Sequence, residues 1–445
     1  MIPNPQPLDQ YTLACLREAD PVVQHYRAFF ALFDWSAIDQ QDACRHTRGP
    51  RPHPKSAYLK AFLLGLCEGK VYRTQLRTLL VQHPWLVLEL GFRPVTDSQT
   101  ALRSPYGFDV EATVPTARWL REQLHRLDPT VLRDLLARTV TALQEEIPGL
   151  GETVAFDVKH IYGWVRENNP RLYVKGRFDV THIPTGDPDC RLGVKKSSNQ
   201  VQPDGTTTEK KESLFGYGSG VAAATDPVYG DVVLADYTQP FNEGDITYFR
   251  PLYRHTVLAF DAYPTNVTAD AAYDAWYVYQ CAALHQGIGA VPLNQHAHPV
   301  YERAADGTPI CPKGLRMHPT FQFNHTNGYR AQRFRCPLLL PTPTGETCDH
   351  AQFAKGCGCV KDVNWELGGQ MRVTLDRDGP LYHAIYNQRT SCERINSQAQ
   401  ALGIERPKVR NGRSVANLNT LIYLVINAKA LAKAQSINRR LLQIK

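Results

Sequence analysis

The hydrophobic pattern changes period along the chain. Over residues 1–150 apolar positions recur at helical spacing. In residues 56–67 they fall at Tyr58, Leu59, Phe62, Leu63 and Leu66, one face of a helix with 3.6 residues per turn. Gly69 can end that helix, and residues 75–80 begin another. Residues 94–106 read as a turn-rich link. Amphipathic helices are expected near 116–126 and 131–146, closed by Pro148-Gly149. From residue 153 the signal turns to short β-branched and aromatic runs. Residues 153–158 read as a buried strand, and 159–212 as a polar, Gly-, Pro- and Thr-rich excursion, a long hairpin or loop. Residues 215–225 and 231–237 form two further strands around Pro227 and Gly230. A helix at 245–258, a strand at 266–269, a helix at 273–285 and a strand at 290–293 complete the series. Three strands, helix, strand, helix, strand predict an α/β fold, a mixed sheet flanked by helices. Residues 294–381 break into short strands, turns and cysteines. Helical character resumes at 382–400, and a last helix is expected over 414–442.

Four segments follow: a helical N-terminal domain (1–150), the first part of an α/β core (151–293), a β-rich cysteine-containing insertion (294–381), and the rest of the core with basic C-terminal helices (382–445). A chain of 445 residues with 43% hydrophobic residues has ample material for several cores. No basic, apolar leader opens it, and the apolar run 418–428 stops at Lys429, too short to span a bilayer. The expectation is a cytoplasmic protein without a membrane partner.

The net charge of +7 is unevenly spread: from Arg394 onward there are ten Lys and Arg against one acid, Glu405. A segment this basic suits a polyanion, because cations placed on phosphates release condensed counterions. A second basic group, with Lys70, Arg73 and Arg77, surrounds the helices near residues 56–80 and is compatible with a DNA-binding helix-turn-helix. An ordinary helical bundle with a solvated basic face accounts for it equally well.

Asp157 lies inside an apolar strand, where a carboxylate costs several kcal/mol unless it is paired or holds a cation. Asp270 ends a strand just before a helix, the end at which α/β sheets place ligands, although it can also simply cap that helix. Tyr386, Arg389 and Glu393 stand at i, i+3 and i+7. At about 100° per residue they fall within a sector of about 60° on one helix, aiming a phenol, a guanidinium and a carboxylate at one target. Arg389 and Glu393 are equally an i, i+4 ion pair.

Tyr386-x2-Arg389-x3-Glu393 resembles the Tyr-Arg-Glu-Lys signature of bacterial insertion-sequence transposases, and the sequence around Asp270-Ala271-Ala272-Tyr273-Asp274 resembles the motif of their second catalytic Asp. Asp157 in its strand is similar to their first. The signature's Lys, seven residues past the Glu, falls on Gln400 here, which keeps a hydrogen-bonding group but loses the charge. The helical front is similar to the N-terminal domain common in these enzymes. The resemblance implies an RNase H-like core in which Asp157, Asp270 and Glu393 bind two Mg2+ or Mn2+ ions. It implies cut-and-paste strand cleavage at the element ends and strand transfer into target DNA. Tyr386, Arg389, Gln400, Lys70, Arg73 and Arg77 would contact DNA. The partners would be double-stranded DNA, as terminal inverted repeats and target, and a second copy of the chain in a homodimer on DNA. Two alternatives stay open: a related metal-dependent DNA nuclease without strand transfer, and a catalytically silent, transposase-derived DNA-binding protein.

Five cysteines fall between residues 311 and 359. Cys348, His350, Cys357 and Cys359 can make a tetrahedral structural zinc site. The spacing lacks a CxxC knuckle, and buried cysteines also serve as small hydrophobes.

Overall fold

Short polar side chains set the helix starts in the first third of the chain. Asp9, Asp20, Thr116 and Asp128 each accept a backbone N–H of the helix they precede, and Pro21 and Pro129 occupy the first helical position, where no N–H is needed. The computed structural model describes residues 9–43, 51–201, 207–294 and 301–443. Its first helices are α1 (Gln10–Ala19), α2 (Pro21–Phe30), α3 (Ser36–Ala43), α4 (Lys55–Cys67), α5 (Arg73–Gln82), α6 (Pro84–Glu89), α7 (Gln99–Arg103), α8 (Val110–Thr113), α9 (Ala117–Arg126) and α10 (Pro129–Glu146).

Strands and helices then alternate: β1 (Thr153–Tyr162), β2 (Arg191–Val201), β3 (Thr207–Asp226), β4 (Gly230–Pro240), α11 (Ile246–Phe260), β5 (Asn266–Thr268), α12 (Trp276–Ala283) and β6 (Gly289–Ala290). They are followed by β7 (His318–Asn324), β8 (Arg330–Arg335), β9 (Val360–Asn364), α13 (Leu367–Thr374), α14 (Pro380–Tyr386), α15 (Thr390–Ala401) and α16 (Gly412–Gln443). The fold is mixed α/β. The chain divides into two compact units, one of Met1–Gly151, Phe156–Ala262 and Thr390–Lys445, the other of Glu152–Ala155 and Tyr263–Arg389.

In the first unit β3 pairs antiparallel with β2 through its first half and with β4 through its second, and β1 lies on its other side. The polar excursion after β1 thus contributes β2 as an added strand. Gly218 and Gly220 of β3 have no room for a Cβ, because the ring of Tyr248 from α11 lies directly against them. These glycines let helix and sheet approach closely. α4 was expected to show one apolar face, yet it is buried on nearly every side, Lys60 excepted within residues 56–65, and so sits at the centre of the helical layer.

α16 is long and apolar enough to cross a membrane by length and composition, but 78% of its apolar 18-residue stretch is buried inside the protein. Polar side chains fix it there. Asn427 accepts the Val233 N–H (2.9 Å) and donates to the Val233 carbonyl (2.7 Å) and to Thr139 (3.0 Å). Asn417 donates to the carbonyls of Leu124 and Leu127. Asn is a poor helix-interior residue; its place here is set by bonds to other elements.

In the second unit Thr153, Val154 and Ala155 of β1 pair parallel with Asn266, Val267 and Thr268 of β5, which pairs parallel with β6. The helix expected at 273–285 is a 3-10 turn, Ala271–Tyr273, followed by α12, and the strand expected at 290–293 is only Gly289–Ala290. A separate antiparallel sheet, β7-β8-β9, packs over Cys311, Met317, Phe334, Cys336, Leu338, Cys359 and Val363.

Asp236 on β4 is buried and accepts a hydrogen bond from Thr420 of α16 (2.8 Å). Burial pushes its carboxyl from 3.8 up to about 6, with the Thr420 bond pulling the other way. Between those values the folded state keeps a proton that the unfolded chain has released, so stability falls as pH rises from about 4 to about 6, by about 3 kcal/mol in all, and is level above. Asp236→Asn should remove that slope. Urea titrations from pH 4 to pH 7.5 should find the variant equal to wild type at the acid end and more stable at neutral pH; parallel pH profiles would refute the assignment.

Candidate active site

Asp157 stands half-buried on β1, one residue beyond Phe156, whose ring packs edge-on against Phe249 of α11. Its neighbour is α15. The amide nitrogen of Asn396 donates to Asp157 Oδ2 at 2.9 Å, and the Asn396 carbonyl oxygen is buried with no hydrogen-bond partner among the described residues. Glu393 lies one turn earlier on the same helix, on its exposed side. α15 buries Ser391, Cys392, Ile395, Asn396 and Ala399, which sets the helix rotation and leaves Glu393 at the margin of the buried face. The Asp157 charge also reaches Tyr423 of α16: burial first, then Asp236, Cys392 and Asp157, push its phenol above the ordinary value, against a bond with Ser219.

Asn396 escaped the sequence reading. Its signal is an Asn on an otherwise apolar helix face three residues past Glu393, a position that calls for a partner on another element.

The sequence places Tyr386, Arg389 and Glu393 on one helix; the structure corrects this. α14 ends at Tyr386, a 3-10 turn spans Asn387–Arg389, and α15 begins at Thr390. Side chains at i and i+3 eclipse in a 3-10 turn, and the Arg389 guanidinium accordingly lies 5.7 Å over the Tyr386 ring. Tyr386 itself stacks on Tyr382. These residues belong to the second unit, whereas Glu393 opens the first unit's last segment. Gln400 is exposed near the end of α15.

Asp270 follows β5 in the second unit. It is half-buried, and its Oδ1 accepts the Ala272 N–H at 2.9 Å, capping the 3-10 turn. Asp274 is a different kind of residue. Its carboxylate is gripped by Arg372 through two bonds (2.7 and 2.6 Å) and accepts from Tyr279 and from the Asn294 N–H. Burial pushes this carboxyl up, but Arg372, the Asn294 N–H and Tyr279 outweigh it and hold it below the usual range. Of the two acids, Asp274 is committed to a buried ion pair and Asp270 keeps an accessible oxygen.

The basic groups are less uniform than the sequence suggests. Arg73, expected on a basic surface, is only 6% exposed. Its guanidinium lies over the Phe62 ring, and burial, with Arg121 nearby, lowers its pKa to about 10. Lys70 is half-buried after the Gly69 turn, and Arg77 bonds the Glu111 carboxylate at 2.5 Å. In the C-terminal segment Arg394 makes a two-pronged pair with Asp231, Arg413 donates to the Leu127 carbonyl and Lys433 to the Tyr229 carbonyl. These cations are structural, whereas Arg406, Lys408 and Arg410 stand close together without ion pairs among the described residues.

The proposed zinc ligands do not converge. Cys359 is buried with Cys336 and Cys311, Cys348 packs partly against them, Cys357 is exposed and bonds the Lys355 carbonyl, and His350 accepts the Gln352 N–H. Burial, with Cys336 and Cys311 alongside, pushes the Cys359 thiol up to about 12, the behaviour of a protonated core thiol. Among the described residues no three His, Cys, Asp or Glu side chains form a ready-made ion cage. No family model, curated protein or solved structure matches this chain.

Arg372→Ala would strand the Asp274 carboxylate in the second unit and should cost about 3–5 kcal/mol, read as a lower unfolding midpoint; Asp270→Ala should cost under about 1 kcal/mol, the range of a lost exposed cap. Equal costs would remove the distinction between the two acids.

Proposed function

We propose that this chain is a DNA transposase with an RNase H-like core, whose residues Asp157, Asp270 and Glu393 hold divalent metal ions for strand cleavage at element ends and strand transfer into target DNA. The observation that carries the proposal is the Asn396–Asp157 bond, which ties the carboxylate-bearing strand to the helix that bears Glu393. The order of elements supports it: β1 beside β3, β3 antiparallel to β4, then α11, then β5 parallel to the start of β1, then α12, then β6 parallel to β5. Asp270 at the end of β5 stands where such sheets present ligand-binding groups.

The donors suit a hard cation. Asp157, Asp270 and Glu393 would supply oxygen only, and the Asn396 carbonyl oxygen, buried without a partner among the described residues, is a further oxygen acceptor beside Asp157. Mg2+ retains waters and takes phosphate oxygens, so three carboxylates need not form a closed cage. When bound, two such ions activate an attacking oxygen and stabilise the leaving one in an in-line displacement. The protein's part is to orient each carboxylate within its own unit. Asn396 keeps Asp157 turned toward the α15 side of β1, α15 fixes the height of Glu393, and the capped turn fixes Asp270. Water is the first nucleophile and frees a 3′-hydroxyl, which then attacks target DNA in the same site. Two ends must be joined, so the working form is a homodimer on DNA.

Asp157→Ala, Asp270→Ala and Glu393→Gln should each abolish Mg2+-dependent nicking of a terminal-repeat duplex, a loss of at least about a thousandfold, while a gel-shift assay still finds end binding; full nicking by any one of them would refute the assignment. Asn396→Ala should raise the Mg2+ concentration for half-maximal nicking by about tenfold. An unchanged requirement in a folded variant would reduce Asn396 to a packing residue.

A further inference from the structure

Three cations of the basic tail, Arg406, Lys408 and Arg410, stand together with others. Where β1 ends and the chain enters its polar excursion, Tyr162, Trp164 and Arg166 face Arg406, Lys408 and Arg410 from the segment between α15 and α16, across an open cleft of about 480 Å³ within the first unit. Arg166, Arg406 and Arg410 are exposed and Lys408 is half-buried. The two aromatic rings serve as platforms for the cations: the Arg406 guanidinium lies 4.3 Å from the centre of the Tyr162 ring, and Arg410 (4.9 Å) and Lys408 (6.0 Å) flank Trp164. Arg410 is held further by a bond from its Nε to the Trp164 carbonyl. The acid of this segment, Glu405, is turned to Lys159 (3.8 Å), and Glu212 accepts from the Tyr162 hydroxyl. None of the four cleft cations has a carboxylate partner among the described residues.

Four positive groups in one cleft, three of them on ring faces and with the nearby acids bound elsewhere, cost repulsion that a globular fold does not need for its own sake. A strongly negative occupant with repeated charges relieves it. Guanidinium groups match phosphate oxygens in fork geometry, and aromatic rings beside them offer flat contact for sugars and bases.

We infer that this cleft is a binding site for the phosphodiester backbone of duplex DNA, distinct from the carboxylate site and built from Tyr162, Trp164, Arg166, Arg406, Lys408 and Arg410. The identity of the occupant rests on the proposal that the protein acts on DNA; the anionic character of the occupant does not. The site grips without reading sequence, since phosphate contacts position a duplex and carry no base information.

Binding of the full chain to a fluorescent 30-base-pair duplex, followed by anisotropy in EDTA over a range of KCl, tests this apart from any catalysis. The double substitution Arg406→Ala/Lys408→Ala should weaken binding about tenfold near 100 mM salt and lower the slope of log K against log[salt] by about two, because each phosphate contact contributes about 0.9. Random-sequence and terminal-repeat duplexes should lose affinity alike. Arg126→Ala, an exposed cation paired with Glu122, should leave the slope unchanged. A double variant that melts like wild type yet keeps the wild-type affinity and slope overturns the inference, as does stronger competition by anionic lipid vesicles than by unlabelled duplex at equal charge. A wild-type chain that binds duplex with a steep, cleft-dependent slope but never nicks it upholds this site and counts against the transposase proposal instead.

Discussion

Asp157 sits on an inner strand between Phe156, fully buried, and Val158, and a carboxylate there must be compensated by a bond or a cation. Asn396 supplies such a bond at 2.9 Å. That bond needs α15 to lie against the sheet in one rotation and at one height, and the burial of Ser391, Cys392, Ile395 and Ala399 enforces both. The same rotation brings Glu393 out at the rim. α16 is tied to β4 beside it through Asn427 and Thr420. The carboxylate, its amide partner and the neighbouring glutamate are thus one mechanical unit, and the functional proposal depends on it.

Charge in this molecule is sorted by commitment. Arg372, Arg394 and Arg413 are bound to protein acceptors and support the fold, and Arg73 is sequestered over a ring. Arg406, Lys408 and Arg410, which have no carboxylate partner among the described residues, gather after α15 beside the Tyr162 and Trp164 rings. A basic stretch of sequence carries no record of this sorting, because it depends on which carbonyls and carboxylates the tertiary fold brings within reach. For the same reason the buried ion pair of Asp274 with Arg372, 98 residues away, has no sign in the sequence.

Much of the architecture was legible beforehand. The helices at 116–126 and 131–146, the strand carrying Asp157, the hairpin through Pro227 and Gly230, and the helix after it follow from periodicity and turn chemistry, and α9, α10, β1, β3, β4 and α11 realise them. Of the two readings of the polar excursion, a long hairpin or a loop, its second part takes the hairpin: β2 pairs antiparallel with the strand that follows it, β3. What failed did so for local or long-range reasons. The even helix through Tyr386, Arg389 and Glu393 is interrupted by a 3-10 turn that residue spacing does not reveal. Asn396 was passed over because a single amide means little until its partner is known. The cysteines that share a core, Cys311, Cys336 and Cys359, are not the set their close spacing favours.

The most direct test is to see the ions themselves. Anomalous diffraction from the full chain in complex with a terminal-repeat duplex and Mn2+ should show two peaks about 4 Å apart, touching carboxylate oxygens of Asp157, Asp270 and Glu393, with Asn396 bonded to Asp157 or to a water on one ion. Peaks coordinated by other side chains, or a DNA-bound complex in saturating Mn2+ whose three carboxylates hold no ion, would contradict the account.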